Sequence, residues 1–304
     1  MKKIAYLLIA LFAISCTKDG SEGSDYVIVN LSASAMPMEM DASVKSESEM
    51  PLDPQVENPI VDIWILQYNR VGEMACKPFF ERLGGGMLSI DNLGVPLKTG
   101  ESTVIVLANL GSYTGYDPDD YSWPGTLAGL RSLVIAGNYN IDRDSTDPSM
   151  SHVPDHLFMV GEESLNVTQS TTQIAVMLSR LCCKLRLAIT QESDQFENLE
   201  VKILNAVHGF TVFPTDDEFT ASDMSDYSID EIGDVPVSPD RVYRYYYLYE
   251  NLDSAPDLQT KIEVKVTGKG DGLKRTRVFP ITSYGKINRN TFYNVDLTIT
   301  GSGS

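Results

Sequence analysis

The chain has 304 residues and a formal net charge of −18. That acidity excludes nucleic acid as a partner, because phosphates would repel it. Plentiful aromatic and β-branched residues exclude an acidic disordered chain.

The amino end is a leader. Met1-Lys2-Lys3 is basic, and Ile4 to Ile14 is an apolar run too short to span a bilayer. Ser15-Cys16 follows, so residues 1–15 read as a lipoprotein signal, cleaved before Cys16 with acylation of its thiol and new amine. Ala13 stands where Leu is usual. Acyl chains, at about 0.8 kcal/mol per buried methylene, would then hold the protein on a membrane. Secretion with a free Cys16 is the alternative. Residues 16–25 form a polar, Gly/Ser-containing tether. The other cysteines are Cys76, Cys182 and Cys183, an odd set that makes no disulfide framework. Extended backbone would point the adjacent pair to opposite faces, so at most one of them can meet Cys76.

Tyr26 to Ala35 alternates, with Val27, Val29, Leu31, Ala33 and Ala35 on one face, and predicts a first strand. Met36 to Asn58 is polar and proline-bearing, and reads as a long exposed loop with Lys45 as its one base. Pro59 to Met74 predicts a strand covered on both faces, ending in a turn at Asn69–Gly72. Phe79-Phe80 starts a short strand, Gly84–Gly86 marks a turn or bulge, and Met87–Val95 and Ser102–Leu110 are further strands. Thr126 to Ala136 has helical spacing, with Leu127, Leu130 and Val134 on one side.

Between them lie weak metal signals. Asp142, Asp144 and Asp147 have oxygen ligands to offer calcium but lack the EF-hand glycine and glutamate. His152 and His156 are four apart, but Pro154 forbids a regular helix there, and His208 is alone in a strand. Solvated or core histidines are the expectation, with no catalytic triad.

From Leu157 the pattern is nearly all strand: Leu157–Val160, Gln173–Leu178, Lys184–Thr190, Leu199–Phe213, Arg241–Glu250, Lys261–Gly268, Leu273–Thr282 and Thr291–Thr300. Pro214 to Asp240 is acidic, without Lys or Arg, and reads as a solvated insertion, with a weak cation site as the alternative. Tyr243, Tyr245, Tyr247 and Tyr249 share one strand face. The expectation is a sheet face against its own core; an exposed strip binding glycan is the alternative. Many strands with one helix predict a mostly β chain of two tandem sandwiches, residues 26–170 with the helix and 171–304.

Three segments carry a resemblance: Trp64-Ile65-Leu66-Gln67-Tyr68-Asn69 with Gly72, a strand ending Ala108-Asn109-Leu110-Gly111, and Leu178 to Leu187 reading L-S-R-L-C-C-K-L-R-L. Asn288 to Thr300 adds a closing strand. Together they resemble the FimA-type pilins, or fimbrillins, lipoprotein precursors of surface fimbriae. The resemblance implies transthyretin-like sandwiches and no enzyme activity or cofactor. It implies export to the outer membrane on the Cys16 lipid and assembly into a fimbrium with other subunits, in cell adhesion. It implies that a trypsin-like cut in the first loop frees the first strand, so that a neighbour's strand takes its groove. Here that strand is Tyr26–Ala35, with Tyr26, Val27, Val29, Leu31 and Ala33 in the groove position. The cut maps to Lys45, where the family has Arg; a cut at Arg70 would remove Ile60–Tyr68 from the core. The resemblance also implies a C-terminal donor segment in shaft subunits. The chain stops after its last strand, so an accessory or tip subunit is expected, and an uncleaved anchor is the alternative. A lipid-anchored glycan binder stacking sugars on Trp64, Trp123 and the tyrosines is a further reading.

Overall fold

Alternation decides the first element. In β1 (Tyr26–Ala35) Val29 and Leu31 are fully buried and Ala33 nearly so, while Ile28 and Asn30 face outward. The computed structural model of the chain describes residues 25–41, 59–110, 123–135, 156–214, 223–227, 229–253, 255–283 and 285–300. Next come β2 (Glu39–Met40), β3 (Ile60–Asn69), β4 (Phe79–Met87), β5 (Ser89–Lys98) and β6 (Gly100–Ala108). A short helix, α1 (Leu127–Arg131), precedes β7 (Val134–Ile135), β8 (Met159–Val167) and β9 (Gln173–Arg180). The rest is β10 (Cys182–Gln191), β11 (Phe196–Leu204), β12 (Ala206–Val207), β13 (Phe210–Thr211), β14 (Met224–Ser225), β15 (Asp230–Gly233), β16 (Val242–Tyr249), β17 (Lys261–Gly268), β18 (Lys274–Pro280) and β19 (Thr291–Ile299).

The first half forms one seven-stranded sheet in the order β4-β3-β6-β8-β9-β1-β5, antiparallel throughout except where β1 runs parallel to β9. It curls on itself: inward side chains of β1, β3, β5, β6, β8 and β9 meet in one core that includes Leu31, Ile63, Leu97, Val104 and Leu178. At Leu181 the chain passes to a second pair of sheets, β16-β10-β19-β2 and β15-β11-β17-β18. Between them lies a second core, with Leu185, Leu187, Leu199, Ile262 and Tyr246.

A third core joins the halves. Trp64, Leu66 and Tyr68 from β3, Ile105 and Leu107 from β6, Leu130 from α1, and Tyr247, Tyr249 and Phe292 from β16 and β19 all enter it. β3 and β6 are therefore covered on both faces, which accounts for their near-continuous apolar runs. Cys182 lies in this shared core and Cys183 in the second one, as extended backbone requires, and both are free thiols, as is Cys76.

The structure departs from the expectations in several places. The expected helix over 126–136 is only Leu127–Arg131: Thr126 caps it, accepting from the Gly129 amide at 3.1 Å. Val134 and Ile135 instead pair with β13, because a tertiary ladder outcompetes a run that contains Gly129. Of the turn or bulge expected at Gly84–Gly86, the structure has the bulge, inside β4, with Gly86 at φ +64°. The strand expected over 199–213 breaks at Asn205 and Gly209, both at positive φ. The Pro214–Asp240 segment is not simply a solvated insertion. Among its described residues, Asp230 is buried against Arg244 at 3.0 Å, and residues 230–233 add to the edge of β11. The segment after β1 is not all exposed loop either: Met38 is buried in the shared core, and β2 pairs with β19.

Candidate functional site: the seat of the first strand

β1 sits between two strands far from it in sequence, β5 and β9. Its inward side chains meet apolar partners on both sides. Leu31 is opposite Leu93 and beside Ile174; Ala33 is opposite Ile90 and beside Val176; Val29 is opposite Val95 and Val27 opposite Leu97. Fully burying a valine or leucine is worth about 1.5–3 kcal/mol, so this face holds the strand strongly. Tyr26, at the start of the strand, is 47% exposed and lies on the outer face with Ile28. The backbone adds ladder bonds, continued by Asn30 donating to the Thr172 carbonyl at 3.0 Å and Met36 to the Leu178 carbonyl at 2.7 Å.

Among the described residues the sheet bonds β5 only through β1, but side chains outside β1 brace the seat. Gln67, buried in β3, accepts from the Lys98 amide at 2.8 Å and donates to the Lys98 carbonyl at 2.7 Å, which fixes the end of β5. Cys76 donates to the same glutamine, and burial pushes its thiol pKa up. Asn109, at φ +68°, accepts from the Val61 amide and donates to the carbonyls of Pro59 and Leu157. It thereby pins the chain where β3 starts, which gives the Ala108-Asn109-Leu110 motif a structural cause. Gly161 in β8 permits a close approach: a Cβ there would lie 2.6 Å from the Met177 carbonyl oxygen of β9.

Beyond β1 the chain crosses from one sandwich to the other through a polar clamp. Arg180 donates from Nη1 to the Met36 carbonyl at 2.7 Å and to Asn290 Oδ1 at 2.9 Å. Asn290 donates from Nδ2 to the Pro37 carbonyl at 2.8 Å, and its own carbonyl accepts from the Glu39 amide at 2.8 Å. Arg180, Asn290, Gln67 and Met38 went unread in the sequence, because their partners lie up to 253 residues away. The only local signal is a charged or amide residue within an apolar run.

The other candidates lie elsewhere. Trp64 and Trp123 are buried and pack edge-on, so they offer no sugar platform. The tyrosine face runs from exposed to buried: Tyr243 is 41% exposed, whereas Tyr247 and Tyr249 lie in the shared core. Arg186 stacks over Tyr243 and Lys184 over Tyr245. His156 is half-buried and His208 exposed; no metal-holding group of His, Cys, Asp or Glu occurs among the described residues. Cys16, Lys45, His152, Asp142, Asp144 and Asp147 lie outside the described residues. Among the described residues no helix is long and apolar enough to cross a membrane.

A cavity of about 440 Å³ opens between β18 and the end of β19, floored by Phe196, Val264, Val266 and Phe279. Arg275 and Arg277 line it. Their β17 partners, Val266 and Val264, belong to the core face, so the arginines occupy the inner face of an edge strand. Inward charge on an edge deters strand addition. The β1 seat, by contrast, presents a row of apolar partners.

The overall fold is shared with solved structures. A candidate cell adhesion protein of Parabacteroides distasonis matches with a TM-score of 0.62 at 16% identity, over 90% of this chain and 89% of that one. The tip fimbrial protein Mfa3 of Porphyromonas gingivalis, with a C-terminal truncation, matches at 0.55 and 14% identity, over 88% and 94%. A FimA fimbrilin of Porphyromonas gingivalis matches at 0.52 and 14% identity, over 91% and 92%. This is the fold of fimbrial subunits. The fimbrillin-type fold expected from the sequence is thus the one found. No family model and no curated protein matches the sequence.

Proposed function

We propose that the protein is a structural subunit of a surface fimbria, acting in cell adhesion as an accessory or tip subunit and joined to its neighbours by strand exchange. The observation that carries this is the β1 seat. An entire strand at the amino end lies between β5 and β9, held by its apolar row and two backbone ladders, and Gln67 braces the end of β5 from outside that strand. Cleavage after Lys45, the one base between β1 and Arg70, releases that strand. Export runs through lipidation of Cys16 and the outer membrane. The fold shared with fimbrial and tip fimbrial proteins supports the reading.

The test is mild trypsin treatment of the purified precursor, with the new amino terminus read by mass spectrometry. The sample is then sized with and without a shaft subunit. A cut after Lys45 and joining to the shaft subunit are expected; a body that never joins overturns strand exchange. Metabolic labelling with a fatty-acid analogue should mark the wild type and not Cys16→Ala. Equal labelling of both removes the lipid from the account.

A second reading has its own observation. The clamp on Met36, Pro37 and Glu39 resists departure of the segment, which favours an anchor that keeps its first strand. An unprocessed amino terminus in surface-extracted protein selects that reading.

A further inference from the structure

The segment Met36–Asp41 is held by a run of backbone hydrogen bonds and by the buried Met38 side chain. Met36 donates to Leu178, Arg180 holds the Met36 carbonyl, Asn290 holds the Pro37 carbonyl, Glu39 donates to Asn290 and Asp41 donates to the Phe292 carbonyl at 3.1 Å. We infer that the strand acceptor spans both sandwiches: an incoming strand occupies the β1 position, is read at the junction by Arg180 and Asn290, and ends as an added strand on β19. This rests on the strand-exchange reading.

Three observations carry the extension. First, the clamp is held by the body of the protein. Arg180 is bonded to Asn290, and the Asn290 amide donates to the Cys182 carbonyl at 2.7 Å, so neither residue needs the segment to stay in place. With the segment in place both are buried, at 2% and 6% exposure, so a chain that covered them without offering acceptors would bury unpaired donors at a cost. A pre-set pair of donors therefore favours any chain that brings two carbonyls there. Second, β19 shows that its edge accepts a strand, since Glu39 and Met40 already pair with Thr291 and Phe292 in parallel. Third, Met38 is 6% exposed and belongs to the core that joins the sandwiches. Its withdrawal would strip that core of one member, so an apolar side chain is needed at the same place.

These contacts describe the partner. It is an extended segment of another subunit that continues past the groove strand by the length of Met36–Asp41. Its residue at the position of Met38 is apolar. The position of Pro37 tolerates proline, because only a carbonyl is used there. The positions of Glu39 and Asp41 must supply amides and exclude proline. At the positions of Met36, Pro37 and Glu39 the contacts described run through the backbone, as in backbone-led strand addition.

The test uses the full chain with a specific-protease sequence in place of residues 44–47, cut and then equilibrated with excess peptide. The probes are synthetic peptides of residues 25–35 and 25–41. The longer peptide should bind about ten-fold tighter or more. Glu39→Pro or Met38→Asp in the long peptide should abolish that gain. Asn290→Ala in the body should abolish it too, with unchanged affinity for the short peptide. The peptide variants alone decide the matter if that body does not fold. Equal affinity of the two peptides overturns the two-sandwich track and leaves strand exchange standing. Binding of neither overturns both.

Discussion

Trp64 and Trp123 meet edge-on, with ring centroids 5.4 Å apart and planes at 70°, inside the core shared by the two sandwiches. Trp64 also packs on Phe80 at 4.7 Å. Large aromatics so placed hold the halves together and are not available to a ligand. Trp123→Ala should cost about 3–5 kcal/mol in denaturant unfolding, the range for a buried aromatic lost from a core. Polysaccharide pulldown should not change. A variant of full stability that loses glycan retention would restore the sugar-stacking reading.

Leu31 has no exposed surface and faces Leu93 and Ile174. Leu31→Ala should destabilise the precursor by about 2–5 kcal/mol. The cleaved body freed of β1 should unfold at the same denaturant concentration whichever residue the precursor carried. An equal effect in both forms would mean that the strand never leaves.

Asp230 accepts from Arg244 Nε at 3.0 Å and from the Tyr246 hydroxyl at 3.0 Å, both buried. Removing one partner leaves the other buried without its charge. Asp230→Ala should therefore cost about 3–5 kcal/mol, and a paired apolar replacement at 230 and 244 much less. A double-mutant cycle on thermal unfolding checks this; additive losses contradict the coupling.

Burial raises the pKa of Tyr68 and of Tyr293 to about 12. The folded value lies above the unfolded one of about 10, so the protein binds these protons more tightly when folded. Their contribution is fully present below about pH 10 and is lost as pH rises through about 12. Stability against denaturant should fall across that window, with phenolate absorbance rising as the chain unfolds. Tyr68→Phe should flatten part of the slope; an unchanged slope denies the burial effect.

At the acid end, Asp271 is held at about 2 by hydrogen bonds from Arg275 and from the Leu273 amide. Its folded value is depressed, so the contribution is present above the usual carboxylate range and lost as pH falls through about 2. Asp271→Asn should remove local protection of the β17–β18 turn at neutral pH, read by amide exchange. Identical exchange in both proteins would show the ion pair to be without effect.

Local pattern in the chain determined a good deal. Period-two alternation placed Tyr26–Ala35 residue for residue, because one covered face demands it. Near-continuous apolar runs in Ile60–Asn69 and Gly100–Ala108 already meant cover on both faces, and the two cores on either side supply it. The adjacent cysteines had to part, and they do. Only the tertiary structure decided the rest. Met38 looks like a loop residue until the shared core closes over it, and the four tyrosines look alike until the first sandwich covers one end of their strand. Arg180 and Asn290 are 110 residues apart, and Asp230 lies in a segment that reads as solvated acid. Periodicity records which way a side chain points relative to its own backbone. It does not record what another part of the chain brings to meet it, and that meeting sets the clamp, the buried ion pair and the seat of the first strand.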